Sequence, residues 1–152
     1  MPWRPIAALS PWLDLALTGP SMEERADDDP ILTRAMLATT AASYLQGQDP
    51  RDPHASPLSG DLAGLPPLQL HVGTSEILLD DSRRYVARAR RAGVDATAHV
   101  WEGMPHVFPA SVGTLAAAER ALDTTAAFLK EQLGNPAEEI ARSQRHRAPD
   151  HS

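Results

Sequence analysis

Leu68-Gln69-Leu70-His71-Val72-Gly73, then helical periodicity from Leu79 to Ala92 closed by Gly93, then Thr97-Ala98-His99-Val100-Trp101: this stretch decides the fold. The last run alternates apolar and polar residues, which is the period-2 signature of a strand, whereas the segment between the runs carries its apolar residues at helical spacing. Strand, helix and strand at this spacing make a βαβ unit, which implies parallel pairing and a right-handed crossover.

On the N-terminal side, Ile6-Ala7-Ala8-Leu9-Ser10 is a short apolar run stopped by Pro11, and it reads as a strand buried on both faces of a parallel sheet. From Trp12 to about Gly60 turn formers and acids take over, and they enclose one helix, expected over Ile31 to Leu45. Asp27-Asp28-Asp29-Pro30 stands at its start and Gly47 at its end, as the helix dipole and the preference for glycine beyond a helix end favour. Prolines at 50, 53 and 57 prevent regular structure in the following connection, which Gly64-Leu65-Pro66-Pro67 ends. On the C-terminal side, the loop Glu102-Gly103-Met104-Pro105-His106-Val107-Phe108-Pro109 leads to a last helix expected from about Leu115 to Leu133. Its Leu115, Ala118, Leu122, Ala126 and Leu129 share one face. Pro136 to Ser152 is polar and rich in Arg, His and Pro, and is expected to be a disordered tail.

The 152 residues suffice for one domain with a sizeable core, and 42% hydrophobic with 22% charged residues is a globular composition. A formal net charge of -6 argues against a nucleic-acid partner. Arg83, Arg84, Arg88, Arg90 and Arg91 read as a solvated helix face offset by Asp80 and Asp81. No run approaches the roughly 20 apolar residues of a membrane span. The N-terminus lacks the apolar core of a signal peptide, so the expected location is cytoplasmic. The absence of cysteine excludes disulfides, a thiol nucleophile and cysteine-bound metal, and no clustered ligand set suggests a metal site of another kind.

Loops past the carboxyl ends of neighbouring parallel strands converge on one rim. Two such loops here carry chemistry: Gly73-Thr74-Ser75-Glu76-Ile77-Leu78-Leu79-Asp80-Asp81 and Gly103-Met104-Pro105-His106-Val107-Phe108. A carboxylate from the first would reach a ring nitrogen of His106 in the second, and such a pair makes a general base. His54, His71 and His99 have no such partner pattern and read as structural. Trp12 and Asp14 read as packing and turn residues, with the floor of an active site as the alternative.

Five blocks in order resemble the bacterial hormone-sensitive-lipase-like esterases of the α/β-hydrolase fold. They are Leu9-Ser10-Pro11-Trp12-Leu13-Asp14-Leu15, Asp49 to Pro53 with Ala55-Ser56-Pro57-Leu58, Leu65-Pro66-Pro67-Leu68, Val72 to Ser82, and Trp101 to Phe108. The resemblance covers roughly Ile6 to Leu133 and implies the C-terminal portion of such a hydrolase: about three parallel strands with flanking helices. Residues 1–134 would form this partial domain, and about 14–60 a helical cap insertion. It implies His106 as catalytic histidine and Glu76 as triad acid, where many members have Asp. Asp80 is the alternative acid, or else a cap for the following helix. Met36, Leu37 and Tyr44 on the cap helix would line a substrate pocket, although core packing explains them equally well.

The family's oxyanion loop of His-Gly-Gly-Gly type and its Gly-x-Ser-x-Gly nucleophile elbow do not occur in these 152 residues, and Ser75 lies in the acid loop without the second glycine. The resemblance therefore implies a serine carboxylesterase, lipase-like, that needs no cofactor and acts on a small-molecule ester once completed by the missing half. The chain alone is expected to be inactive or very weak. The rival expectation is a non-catalytic truncated remnant, or a half that acts only with another chain. An open edge on the first strand would then invite self-association.

Overall fold

The computed structural model describes residues 4–134, so the expected tail, with His146 and His151, lies outside the described residues. In chain order the elements are β1 (Ile6–Leu9), α1 (Ser21–Glu24), α2 (Arg34–Leu45), β2 (Leu68–Gly73), α3 (Leu79–Arg91), β3 (Ala96–Trp101) and α4 (Ala116–Leu133). The three strands form one parallel sheet in the order β1-β2-β3, with Leu9 opposite His71, and Gly73 opposite Trp101. The expected α/β architecture of three parallel strands with flanking helices is thus observed.

Alternation along β2 explains the layers. Leu68 and Leu70 point to one face and pack with Val86 and Ala89 of α3, with Leu62, Val94 and Ala96 completing the cluster. His71 points to the other face, where its ring meets Thr125 of α4 at 3.1 Å. On that same side Phe108 packs with Ala118 and Ala121 of α4 against Trp101 and Met104. The small alanines let α4 approach closely. β2 is buried along its whole length, as a central parallel strand should be. β1 is not: Ile6 is 38% exposed and its neighbours are half-buried, because β1 pairs on one side only among the described residues.

Between β1 and β2 the chain differs from the expected pattern. The helix begins at Arg34 rather than Ile31, capped by Thr33, whose hydroxyl accepts the Met36 N–H at 3.2 Å. Asp29 and Pro30, which looked like a helix start, form a separate turn. One Asp29 oxygen accepts the N–H groups of Ile31 and Leu32, each at 2.9 Å, and the other accepts Ile77 N–H at 2.9 Å. α1 is too short for a periodic signal. Its first N–H, from Ser21, is satisfied by Asp80 Oδ2 at 2.8 Å.

The arginines of α3 lie on the solvated face expected, with Arg83, Arg88, Arg90 and Arg91 exposed and Arg84 half-buried, and three of them also make tertiary contacts. Arg84 pairs with Asp14 at 3.2 Å, Arg88 donates to the carbonyls of Leu58 and Gly60, and Arg90 donates to the Ala96 carbonyl. These three fasten α3 to the segment before β2 and to β3. Among the described residues no helix is long and apolar enough to cross a membrane.

Candidate active site

The register brings the carboxyl ends of all three strands to one rim. At the last residue of β2, a Cβ placed on Gly73 would lie 1.8 Å from the Met104 carbonyl oxygen, so only glycine lets the loop after β3 fold over the end of β2. The two loops are then stitched together: Thr74 N–H donates to the Trp101 carbonyl, Ser75 N–H to the Met104 carbonyl, and Gly103 N–H to the Thr74 hydroxyl.

This stitching places Glu76 beneath His106. Glu76 is fully buried, and its Oε2 lies 3.0 Å from His106 Nδ1. Its Oε1 accepts two hydrogen bonds, from Gly73 N–H at 2.6 Å and from the Ser10 hydroxyl at 2.8 Å. Facing a carboxylate, Nδ1 of the neutral ring carries the proton, which leaves a lone pair on Nε2. The His106 side chain is 21% exposed, and among the described residues Nε2 has no hydrogen-bond partner. An imidazole with one nitrogen held by a buried acid and the other bare is built to take a proton. Phe108, 2% exposed in the α4 cluster, anchors the chain two residues beyond it.

Asp80 meets Ser21 N–H and, at 3.7 Å, Arg83, and does not meet His106. Nor does it cap its own helix: the residue before α3 is Leu78, with no side-chain cap, and Asp80 tethers α1 instead. Its neighbour Asp81 is fully buried and accepts Leu13 and Asp14 N–H on Oδ2. Burial pushes the Asp81 carboxyl up to about 6, and the nearby Asp14 charge adds to this against the two hydrogen bonds. Asp14 is an organiser of the turn. Burial raises its carboxyl, but hydrogen bonds from Thr18, Ala16 and Arg84 outweigh that and hold it below the ordinary value. Trp12 donates to the Asp14 carbonyl at 3.0 Å and packs with Leu17, Met22, Leu37, Ile77 and Leu78.

The three residues of the expected pocket are placed differently from one another. Leu37 is buried in that same cluster, while Met36 is 52% exposed and Tyr44 66% exposed. Tyr44 lines an apolar cavity of about 190 Å³ with Trp12, Leu15, Thr40 and Ala55. His71 and His99 stack at 4.8 Å on the face away from α3, and His71 bonds Gln69, Trp101 and Thr125. Burial, with the His99 charge adding to it, pushes His71 down to about 4. Among the described residues no three His, Asp or Glu side chains gather closely enough to hold a metal ion.

Sequence reasoning passed over Ser10, whose hydroxyl also accepts Val107 N–H at 2.9 Å. The sequence carried one relevant signal: a hydroxyl directly before a proline, at the carboxyl end of a strand on the same rim as Glu76 and His106.

Residues 2–110 match the family described as alpha/beta hydrolase fold. An acetyl-hydrolase of Streptomyces hygroscopicus is 42% identical over 126 residues, which are 83% of this chain and 42% of the relative. An esterase of Acinetobacter venetianus is 38% identical over 121 residues, 79% of this chain and 40% of the relative. The crystal structure of an esterase from the bacterial hormone-sensitive lipase family is 43% identical, with a TM-score of 0.84 over 86% of this chain and 44% of that one. A hormone-sensitive lipase from a metagenome library is 34% identical, with a TM-score of 0.81 over 84% of this chain and 44% of that one. The chain spans about two-fifths of the length of these curated relatives. It belongs to the α/β-hydrolase fold family, and in sequence and structure it is similar to esterases of the bacterial hormone-sensitive-lipase group.

Proposed function

We propose that this chain carries the acid–base half of a serine carboxylic ester hydrolase acting on short or medium acyl esters. The observation that carries the reading is the buried Glu76 carboxylate 3.0 Å from His106 Nδ1, with Nε2 bare among the described residues. In this reading Nε2 takes the proton of a serine hydroxyl as that oxygen attacks the ester carbonyl. It returns the proton to the departing alcohol when the tetrahedral intermediate collapses to an acyl-enzyme, and then activates water to release the acid. Glu76 fixes the tautomer and stabilises the imidazolium formed midway. Ser10 is not the nucleophile, because its proton is committed to Glu76 on the acid side of the ring. The serine and oxyanion donors would come from the part of the relatives' length that this chain does not span. Residues 14–60 would act as the cap, and the cavity under Tyr44 and Trp12 would take an apolar arm of the ester.

The test is p-nitrophenyl butyrate turnover by the purified chain, and by the chain joined to the nucleophile-bearing portion of the Streptomyces relative. The chain alone should give no turnover that depends on His106. In the joined protein His106→Ala should lower kcat by on the order of 10⁴ to 10⁶, and Glu76→Gln by on the order of 10⁴. Equal turnover with and without His106 in the joined protein overturns the proposal. Robust turnover by the chain alone, lost in His106→Ala, would overturn its restriction to half of the machinery.

A further inference from the structure

Ser10 stands at the carboxyl end of β1, Glu76 just past β2 and His106 just past β3, and a single hydroxyl touches both of the loops that bear the pair. Ser10 Oγ lies 2.8 Å from Glu76 Oε1 and 2.9 Å from the backbone nitrogen of Val107, the residue after His106. The partners are 66 and 97 residues away in the chain, so nothing local accounts for either contact. The Ser10 side chain has almost no access to water, at 4% exposure.

The direction of both hydrogen bonds is forced. A backbone N–H can only donate, so Val107 occupies a lone pair of the hydroxyl. An ionised carboxylate can only accept, so the hydroxyl proton points to Glu76. Glu76 Oε1 then receives two donors, Ser10 O–H and Gly73 N–H, and this leaves Oε2 alone to face His106. Two donors on one oxygen fix the rotation of the carboxyl group, so that the other oxygen stays aimed at the imidazole.

Backbone conformation adds a second line of argument. Ser10 has φ of +47° and Val107 has φ of +51°, both in the left-handed region where side chains other than glycine are disfavoured. Glycine would suit position 10 better by conformation alone, and the two hydrogen bonds of the serine hydroxyl offset that conformational cost. At Val107, a β-branched residue held at positive φ directly after His106, the backbone needs a fixed partner to stay in place, and Ser10 Oγ supplies it.

We propose that Ser10 is a positioning residue for the acid–base pair: its hydroxyl fixes the rotation of Glu76 and the backbone of the histidine loop together, and so sets the tautomer and orientation of His106. This rests on the reading of Glu76 and His106 as a pair, and it adds a third side chain from the one strand that neither of them follows.

The experiment is NMR of the unmodified 152-residue chain and its variants at pH 8, with nitrogen-15 in the histidine rings and the backbone. The unmodified chain should show His106 protonated at Nδ1, and a Val107 amide protected from solvent exchange. Ser10→Ala should shift the ring towards a mixture of tautomers and speed Val107 amide exchange about tenfold or more. Ser10→Thr, which keeps the hydroxyl, should restore both. Thr33→Ala, which weakens a helix cap away from the site, should move neither, so a general loss of stability cannot mimic the result.

Glu76→Gln separates the two levels of inference. If it moves the His106 ring signals and Ser10→Ala does not, the pair stands and the role of Ser10 is overturned. If Glu76→Gln leaves the ring unchanged, the pairing fails and the role of Ser10 falls with it. If Ser10→Ala does not fold, Ser10→Thr and the unmodified chain decide: a Val107 amide that exchanges as freely as an open loop overturns the proposal.

Discussion

His71 and Asp81 make opposite demands on pH, and the demands are close to equal. His71 is fully buried between Trp101, His99 and Thr125, and its imidazole is pushed from 6.5 down to about 4. Between those values the unfolded chain binds a proton that the folded chain refuses. His71 therefore contributes stability that is complete above pH 6.5 and is lost as pH falls towards 4. A displacement of that size corresponds to about 3 kcal/mol. Asp81 runs the other way. Its carboxyl is raised from 3.8 to about 6, so the folded chain binds a proton that the unfolded chain has released. That contribution is complete below pH 3.8 and is lost as pH rises through 6, again about 3 kcal/mol. His99, lowered by burial, adds a smaller tilt of the same sign as His71. Urea unfolding at pH 4, 5, 6 and 7 should therefore give a nearly flat stability profile for the unmodified chain, with a slight rise towards neutral pH. His71→Gln should expose Asp81 and make stability fall with pH across this window. Asp81→Asn should expose His71 and make it rise. Each variant also loses or alters contacts, but those costs do not vary with pH, so the slopes are read and not the absolute values. Parallel profiles for the three proteins would refute the reasoning.

Gly73→Ala should cost roughly 3 to 5 kcal/mol in thermal or urea unfolding and displace His106, because the new methyl would sit on the Met104 carbonyl and main chain cannot yield as a side chain does. Asp29→Ala should cost roughly 2 to 3 kcal/mol, since it strips acceptors from Ile31, Leu32 and the buried Ile77 N–H at once. The Ile77 amide, next to Glu76, should then exchange with solvent much faster. Thr33→Ala should cost about 1 kcal/mol, read as earlier unfolding with the His106 signals unchanged.

The parts of the fold legible in the sequence are those set by period. β2 starts and ends where its apolar run does, and β3 and α4 lie within one residue of the sequence reading, because burial on a sheet face is a local constraint repeated many times, although α4 buries Ala118 and Ala121 and leaves Ala126 of the expected stripe exposed. The parts that were not legible depend on a single distant partner. Asp29 reads as the head of a helix dipole, yet its carboxylate is engaged by Ile77, 48 residues on, so the helix begins again at Thr33. Asp80 reads as a cap for the helix it stands in, yet it holds the N–H of Ser21, 59 residues back. Arg88 and Arg90 are exposed, as the composition of a solvated face implies, but the sequence does not show that three carbonyls and Asp14 engage the guanidinium groups of Arg84, Arg88 and Arg90.

The candidate site divides along the same line. Glu76 and His106 stand in loops whose position past a strand end is itself a signal, so topology alone brings their segments to one rim. What topology does not specify is how closely the two side chains are held. That comes from a glycine that lets one loop lie on another, and from one hydroxyl at the end of β1. In the sequence, Ser10 is only the last residue of an apolar run before a proline. Its importance rests on an accounting of donors and acceptors. A buried carboxylate oxygen and a backbone N–H behind the histidine both need partners, and one side chain with a single proton and free lone pairs satisfies both. Replacing it with alanine would strip the Val107 N–H of its partner and leave Glu76 Oε1 with the Gly73 N–H alone, at the point where the ring must be held still. The order of the sheet therefore matters to the chemistry as well as to the core: β1 lies beside β2, and this places a hydroxyl behind the acid on the side opposite the bare Nε2.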